Sequence, residues 1–234
     1  LTDPQFSIIL PVYNQADHIG SIVDAYVTAL SATGLAYEIV LVVNGSPRDG
    51  SFAACEALAQ QYPAVRAVDE PQGGWGRAVK RGIREARGTS ICYTNSARTT
   101  DRDLTLLLLY ARAFPNVVVK ANRKIRESLQ RRVGSLLYNI ECRTLFDLSC
   151  WDVNGTPKVF PRSCDALLSL QSDDDIIDAE FNALVRQHEY PMIEVPIFST
   201  RRHGGKSTTN YGSAFAMYTG AYRLFRRLRQ RPGA

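Results

Sequence analysis

Three polar loops hold the residues best suited to chemistry. Pro11-Val12-Tyr13-Asn14 closes one apolar run, Asn44-Gly45-Ser46-Pro47-Arg48-Asp49-Gly50 closes a second, and Gly73-Gly74-Trp75-Gly76-Arg77-Ala78 opens a helical stretch. Glycines let backbone approach a phosphate closely, and the N-terminus of the helix that follows favours an anion; a purely structural turn uses glycine in the same way. Asn44 offers an amide to a base edge or a ribose. Arg77, Arg98, Arg202, His203 and Lys206 are cationic donors suited to a diphosphate, and Arg123 and Arg131 stand in a basic stretch suited to a second phosphate. Asp152, Asp178 and Glu180 are carboxylates able to take a proton from an alcohol. Asp173, Asp174 and Asp175 read instead as charges at a helix N-terminus, with Ser172 or Asp173 as its cap.

These loops need a scaffold, and the hydrophobic pattern supplies one. Residues 6–12, 38–43, 65–68, 90–94, 117–120, 157–161 and 192–198 read as strands, and residues 15–30, 52–62, 75–87 and 174–188 as helices. A further apolar helix runs from 101 through 113, and residues 123–146 read as one long basic helix. Strands alternating with helices predict an α/β fold with a mainly parallel central sheet flanked by helices, in which ligands bind outside the carboxyl ends of the strands. The reading is a single domain over 1–234, with residues 1–100 as the nucleotide-binding half, 101–210 as the acceptor-binding half and 211–234 as a basic amphipathic helix.

Composition narrows the classes. A 234-residue chain that is 45% hydrophobic can bury a core, and without a run of 18 apolar residues or a signal-like N-terminus it is expected to be soluble and cytoplasmic. Five scattered cysteines lack the paired spacing of a zinc site and read as buried free thiols. The net charge of +5 is concentrated near residues 120–132 and 223–231. Such patches suit phosphate ligands, nucleic acid or an anionic membrane. Nucleic acid is disfavoured, because aromatics do not interleave with the basic stretches. On the C-terminal helix Phe215, Tyr218, Tyr222, Phe225 and Leu228 lie near one face, which suits either a membrane surface or packing on the domain. His18 and His188 read as structural. Oligomeric state is not legible.

In their order the three loops resemble those of family 2 inverting glycosyltransferases with the GT-A fold, the polyprenyl- and dolichyl-phosphate sugar synthases especially. That family carries a Pro-x-Tyr-Asn-Glu element, an Asp-Asp-Gly-Ser-x-Asp-Gly loop and a Gly-Lys-Gly-x-Ala loop. Arg131, Ser135 and Asn139 match the spacing of the acceptor-side helix in those synthases. Asp152-Val153-Asn154-Gly155-Thr156-Pro157-Lys158-Val159-Phe160 is similar to their Asp-x-x-Gly-x-x-Lys/Arg-x-Phe segment, and Asp178-Ala179-Glu180 to the acidic pair that follows. The resemblance spans residues 6–207. It implies a nucleotide-diphosphate sugar as donor, a lipid phosphate as acceptor, contact with a membrane surface, and a nucleoside contact through Pro11, Tyr13, Asn14, Asn44 and Asp49.

Two departures bear on mechanism. Val43-Asn44 stands where the family has Asp-Asp, and Asn95-Ser96-Ala97 stands where it has the Asp-x-Asp that holds a divalent metal on the diphosphate. Neutral oxygens hold Mg²⁺ or Mn²⁺ weakly, so either ion is only weakly supported as a cofactor. Charge that builds on a departing diphosphate still needs a counter-charge. Arg98, beside the altered triplet, is the expected replacement, with Arg77, Arg202, His203 and Lys206. The alternative is a catalytically silent protein that keeps the fold and binds a nucleotide sugar or a phospholipid.

Overall fold

A computed structural model describes residues 3–46, 49–124, 129–198 and 211–230, with only the backbone path described for 129–132 and 211–215. The elements are β1 (Phe6–Val12), α1 (Ile19–Ser31), β2 (Tyr37–Asn44), α2 (Ser51–Gln61), β3 (Val65–Glu70), α3 (Trp75–Glu85), β4 (Ser90–Tyr93) and α4 (Asp101–Ala113). They continue as β5 (Val118–Arg123), α5 (Leu129–Phe146), β6 (Lys158–Pro161), α6 (Ile177–Gln187), β7 (Met192–Ile197) and α7 (Tyr211–Arg229). The strands form one sheet in the order β3-β2-β1-β4-β6-β5-β7, parallel except for β6, which runs antiparallel to both neighbours.

The alternation of side chains along a strand explains the two layers of core. Every residue of β1 is buried, since helices cover both faces of the sheet. Ile8, Leu10 and Val12 pack with Ile19, Ile22 and Val23 of α1 and Leu104, Leu107 and Leu108 of α4. Ile9, one residue out of phase, faces Val79 and Ile83 of α3 and Phe181 of α6 with Val40 and Val42. All five cysteines are buried and free.

Two expectations about elements change, and one open choice closes. The long helix expected over 123–146 begins at Leu129, because Ala121, Asn122 and Arg123 extend β5 in register with Val195, Pro196 and Ile197 of β7. Neither Ser172 nor Asp173 caps α6; the Asp174 carboxylate instead accepts from the N–H of Ile176 at 3.0 Å, just before the helix. On α7, where the sequence leaves a membrane surface and packing on the domain both open, Tyr218 and Phe225 turn inward while Tyr222 stays 54% exposed. Tyr218 meets Tyr138 edge-on at 5.9 Å and Phe225 meets Phe146 at 6.0 Å, so these two rings cover α5. Among the described residues no helix is long and apolar enough to cross a membrane.

Candidate active site

The strand order reverses direction between β1 and β4, and the crevice at such a switch point is where open α/β sheets bind ligands. Tyr13, half exposed, and Asn14, with φ of 50°, leave β1 at this crevice. Asn95 to Arg98 leave β4 beside them. Because β6 is antiparallel, its amino end lies at the same edge, and Lys158 sits opposite Tyr93 in the ladder. Arg123 ends β5 two strands away from β4.

On the nucleotide side, several expected contacts hold the loops to one another. Asn44 donates from Nδ2 to the Val12 carbonyl at 3.3 Å and accepts from the Gly74 N–H at 3.4 Å, linking the first loop to the third. Asp49 accepts from the Ala16 N–H at 2.9 Å and from the Ser51 hydroxyl at 2.6 Å. These bonds outweigh desolvation and hold its carboxyl below the usual range. Pro11 is a strand residue buried opposite Val42, so of the first loop it is Tyr13 and Asn14 that are exposed.

The glycine loop has a different reason from the one expected. Gly74 has φ of 142°, and a Cβ there would lie 2.5 Å from the Asp173 carbonyl oxygen; a Cβ on Gly76 would run into the backbone of Ser172 and Asp173. The N-terminus of α3 is therefore pressed against residues 172–174, and the N–H of Arg77 donates to the Asp173 carbonyl at 3.1 Å. Arg77 and Lys80 also grip the Asp173 carboxylate at 3.1 and 2.5 Å, and this pairing outweighs burial in lowering its pKa. Gly74 and Arg77 thus build a junction between the two halves. Trp75 packs edge-on to Tyr93 at 6.4 Å, and its buried Nε1 has no acceptor among the described residues.

The turn after β4 is closed on itself. The Asn95 side-chain oxygen accepts from the Ala97 N–H at 3.1 Å, and its carbonyl accepts from the N–H groups of Arg98 and Thr99 at 3.0 Å each. Ser96 donates to Gln15 at 2.7 Å. No group of three or more His, Cys, Asp or Glu suited to a metal occurs among the described residues. The side-chain oxygens of Asn95 and Ser96 are neutral, and by themselves they do not make the carboxylate donor set that holds a divalent cation.

Beyond β4 the sheet contains a compact charge cluster. Lys120 and Lys158 are cross-strand partners, both fully buried, and each has its own carboxylate. Lys120 donates to Glu194 at 2.8 Å and to the Asp152 carbonyl at 2.5 Å, while Lys158 pairs with Asp178, which also accepts from the Tyr93 hydroxyl at 3.0 Å. Arg123 grips both Asp152 oxygens at 2.8 Å, and its backbone N–H donates to the same carboxylate at 3.0 Å. Three cations thus face three carboxylates. Burial pulls Lys158 down to about 8, although Asp178 opposes the shift. Burial raises Glu194, but Lys120 and the N–H groups of Trp151 and Asp152 bring it below its ordinary value.

This cluster changes the reading of the acidic residues. Asp178, expected as a reserve base, is committed to Lys158 and Tyr93. Glu180, the other expected base, is 1% exposed; its carboxylate accepts from the Ser172 N–H at 2.7 Å and, through both oxygens, from the Gln171 N–H at 3.1 Å, and it pairs with Arg227 of α7 at 3.1 Å. It fastens the 171–173 turn to α7 and faces no open space. Asn139 likewise serves the backbone, accepting from the Val153 N–H at 3.1 Å. Ser135 is partly exposed on α5. Arg202, His203 and Lys206 lie outside the described residues, as does the side chain of Arg131.

Reading the sequence missed Tyr93, Lys120 and Glu194 as members of the cluster, and it set Asp175 aside. Asp175 is exposed, yet desolvation and the nearby Asp178 and Asp174 carboxylates raise it to about 6. A lysine inside an otherwise apolar strand, Val118-Val119-Lys120-Ala121, was the available signal for Lys120.

Fold and crevice define an open α/β domain with a ligand edge at its switch point, and comparison with known proteins gives the family. The model described as "Glycosyl transferase family 2" matches residues 7–166, and the chain belongs to that family. It is 26% identical over 207 residues to an undecaprenyl-phosphate 4-deoxy-4-formamido-L-arabinose transferase of Pseudomonas fluorescens, covering 86% of this chain and 59% of the relative. The corresponding transferase of Klebsiella pneumoniae is 24% identical over 208 residues, covering 88% and 62%. The chain thus spans about three fifths of the length of these relatives. In structure it is similar to glucosyl-3-phosphoglycerate synthase of Mycobacterium tuberculosis, solved with Mn²⁺, UDP and phosphoglyceric acid, with a TM-score of 0.73 and 14% identity over 99% of this chain and 80% of that one. At that identity the likeness establishes the GT-A fold alone.

Proposed function

We propose that this protein transfers a sugar, with inversion, from a nucleotide-diphosphate donor to a polyprenyl phosphate, and that it does so without a resident metal. The observation that carries the reading is the convergence, at one sheet edge of a family 2 domain, of Tyr13 and Asn14, the Asn95 to Arg98 turn, and Arg123. Residues 1–100 hold the donor and residues 101–210 the acceptor. Tyr13 meets the nucleoside, with Asn44 and Asp49 keeping its loops in place. Arg98, joined by Arg202, His203 and Lys206, stabilises the departing diphosphate. Arg123 and Arg131, with Ser135, attract the acceptor phosphate, and Asp152 holds the Arg123 fork in orientation.

The commitment of Asp178 and Glu180 to buried partners favours an acceptor that is already ionised. A phosphate oxygen attacks the anomeric carbon, the bond from that carbon to the donor diphosphate breaks, and no proton has to be removed from the nucleophile. The names of the curated relatives support a lipid phosphate in this role. Such an acceptor places the protein in the cytoplasm at the inner face of a membrane.

The test is transfer from a panel of radiolabelled nucleotide sugars to undecaprenyl phosphate and, separately, to the corresponding free alcohol. Label is expected in the lipid phase with the phosphate only. Transfer to the alcohol that is lost on Asp175→Asn would replace this reading with base catalysis. Donor binding with no transfer to either acceptor would assign the chain to silent binding.

A further inference from the structure

Helix α5 has two apolar faces, and only one is covered. Tyr138 and Cys142 pack with Ala221 and Leu224 of α7 and with Leu148 and Val153. On the other side Val133, Leu136, Leu137 and Ile140 recur at helical spacing, exposed by 50%, 51%, 53% and 48%. One apolar face accounts for a helix packed on a domain; a second aliphatic stripe left in water marks a contact surface.

We propose that this stripe docks the protein on an anionic lipid bilayer, with α5 lying in the plane of the headgroups. The charge pattern selects lipid. Over residues 124–146, beyond the paired Lys120 and Arg123, five basic residues stand against two acidic ones, Glu127 and Glu141, and the sequence Arg131-Arg132 lies in the first turn of α5. One turn beyond Ile140, the Arg143 guanidinium lies 3.9 Å over the ring of Trp151, which is 58% exposed. Exposed indole and arginine settle together at the level of lipid headgroups. Four aliphatic side chains also fall far short of the roughly 20–30 residues a side that a stable protein interface uses.

Of the two readings open for the aromatic face of α7, a membrane surface or packing on the domain, Tyr218 and Phe225 take the second against α5, so docking passes to the outer side of α5 itself. The inference deepens the lipid-acceptor reading and rests on it for its purpose, since α5 follows the end of β5 that carries Arg123. Its test uses neither sugar nor acceptor.

The full chain is mixed with phosphatidylcholine vesicles with and without phosphatidylglycerol, and followed by co-sedimentation and tryptophan emission. Binding to the anionic vesicles is expected, with a blue shift. Leu136→Glu/Leu137→Glu should weaken it about tenfold or more, while the thermal melt stays unchanged because both side chains already face water. Arg131→Gln/Arg132→Gln should weaken binding to anionic vesicles and reduce its sensitivity to salt. The proposal is overturned if the wild type binds neither vesicle, or if the leucine variant binds as well as the wild type. It is equally overturned if the wild type is a dimer that the leucine variant turns into a monomer, which would assign the stripe to a second copy. Vesicle binding without sugar transfer would leave the docking surface standing and count against the acceptor reading.

Discussion

Replacing Lys158 by methionine is expected to lower stability by about 3–5 kcal/mol, the usual penalty for stranding one member of a buried ion pair. Asp178 is 5% exposed and would be left buried with the Tyr93 hydroxyl as donor and no cation opposite it from Lys158. In the double variant Lys158→Met/Asp178→Asn the stranded charge is gone and an acceptor oxygen remains for Tyr93, so most of the loss should be recovered. Urea denaturation of the four proteins gives the coupling directly. The pH dependence has a definite sign. Lys158 titrates near 8 in the folded chain against an ordinary 10.5, so the unfolded chain binds more protons between those values. Stability from this group therefore rises with pH across that window and levels off at its low value once pH falls below about 8, where both states are protonated. The double variant should lack this rise. Additive single losses, or a rise that survives in the double variant, would remove the cluster's claim to be a coupled unit.

That cluster also marks where reading the sequence stopped short. The β-branched runs at Phe6–Val12 and Tyr37–Asn44 announced buried parallel strands, and the glycine and asparagine loops between runs announced the edge where ligands bind. Lys120 was legible only as a member of a basic stretch, and Lys158 only as part of the 152–160 segment that resembles the family's. Their pairing depends on β6 entering the sheet antiparallel between β4 and β5, and no local pattern fixes such an insertion. The glycines of the third loop were placed on the nucleotide for want of any way to see residues 172–174 pressed against them from about 96 positions further along the chain. Helix α5 is a similar case. Its aliphatic spacing is visible in the sequence, but which of two apolar faces receives α7 is a tertiary fact.

Arg98→Ala is expected to lower kcat by about 10²–10³-fold, the range found when a donor to a developing oxyanion is removed. The argument is positional. The turn that carries Arg98 is pinned on both sides: the Tyr26 hydroxyl donates to the Thr99 carbonyl at 2.8 Å, and the Thr94 and Thr99 hydroxyls lie 2.6 Å apart. On the proposed reading, a cation held at the end of β4 takes over the counter-charge that a metal would otherwise supply to the diphosphate. Arg98→Lys should recover part of the rate, because an ammonium keeps the charge and loses the fork. The KM for donor should change less than kcat, since charge on the diphosphate grows toward the transition state. An unchanged kcat in Arg98→Ala, at unchanged thermal stability, would take Arg98 out of the site.

The most direct test of metal-free sugar transfer is turnover with the preferred donor and undecaprenyl phosphate, measured in EDTA and again with added Mn²⁺. Rates that match in the two conditions are predicted, with both lost in Arg98→Ala. Turnover that vanishes in EDTA and returns with Mn²⁺ would contradict the account, since a metal would then carry the charge assigned to arginine.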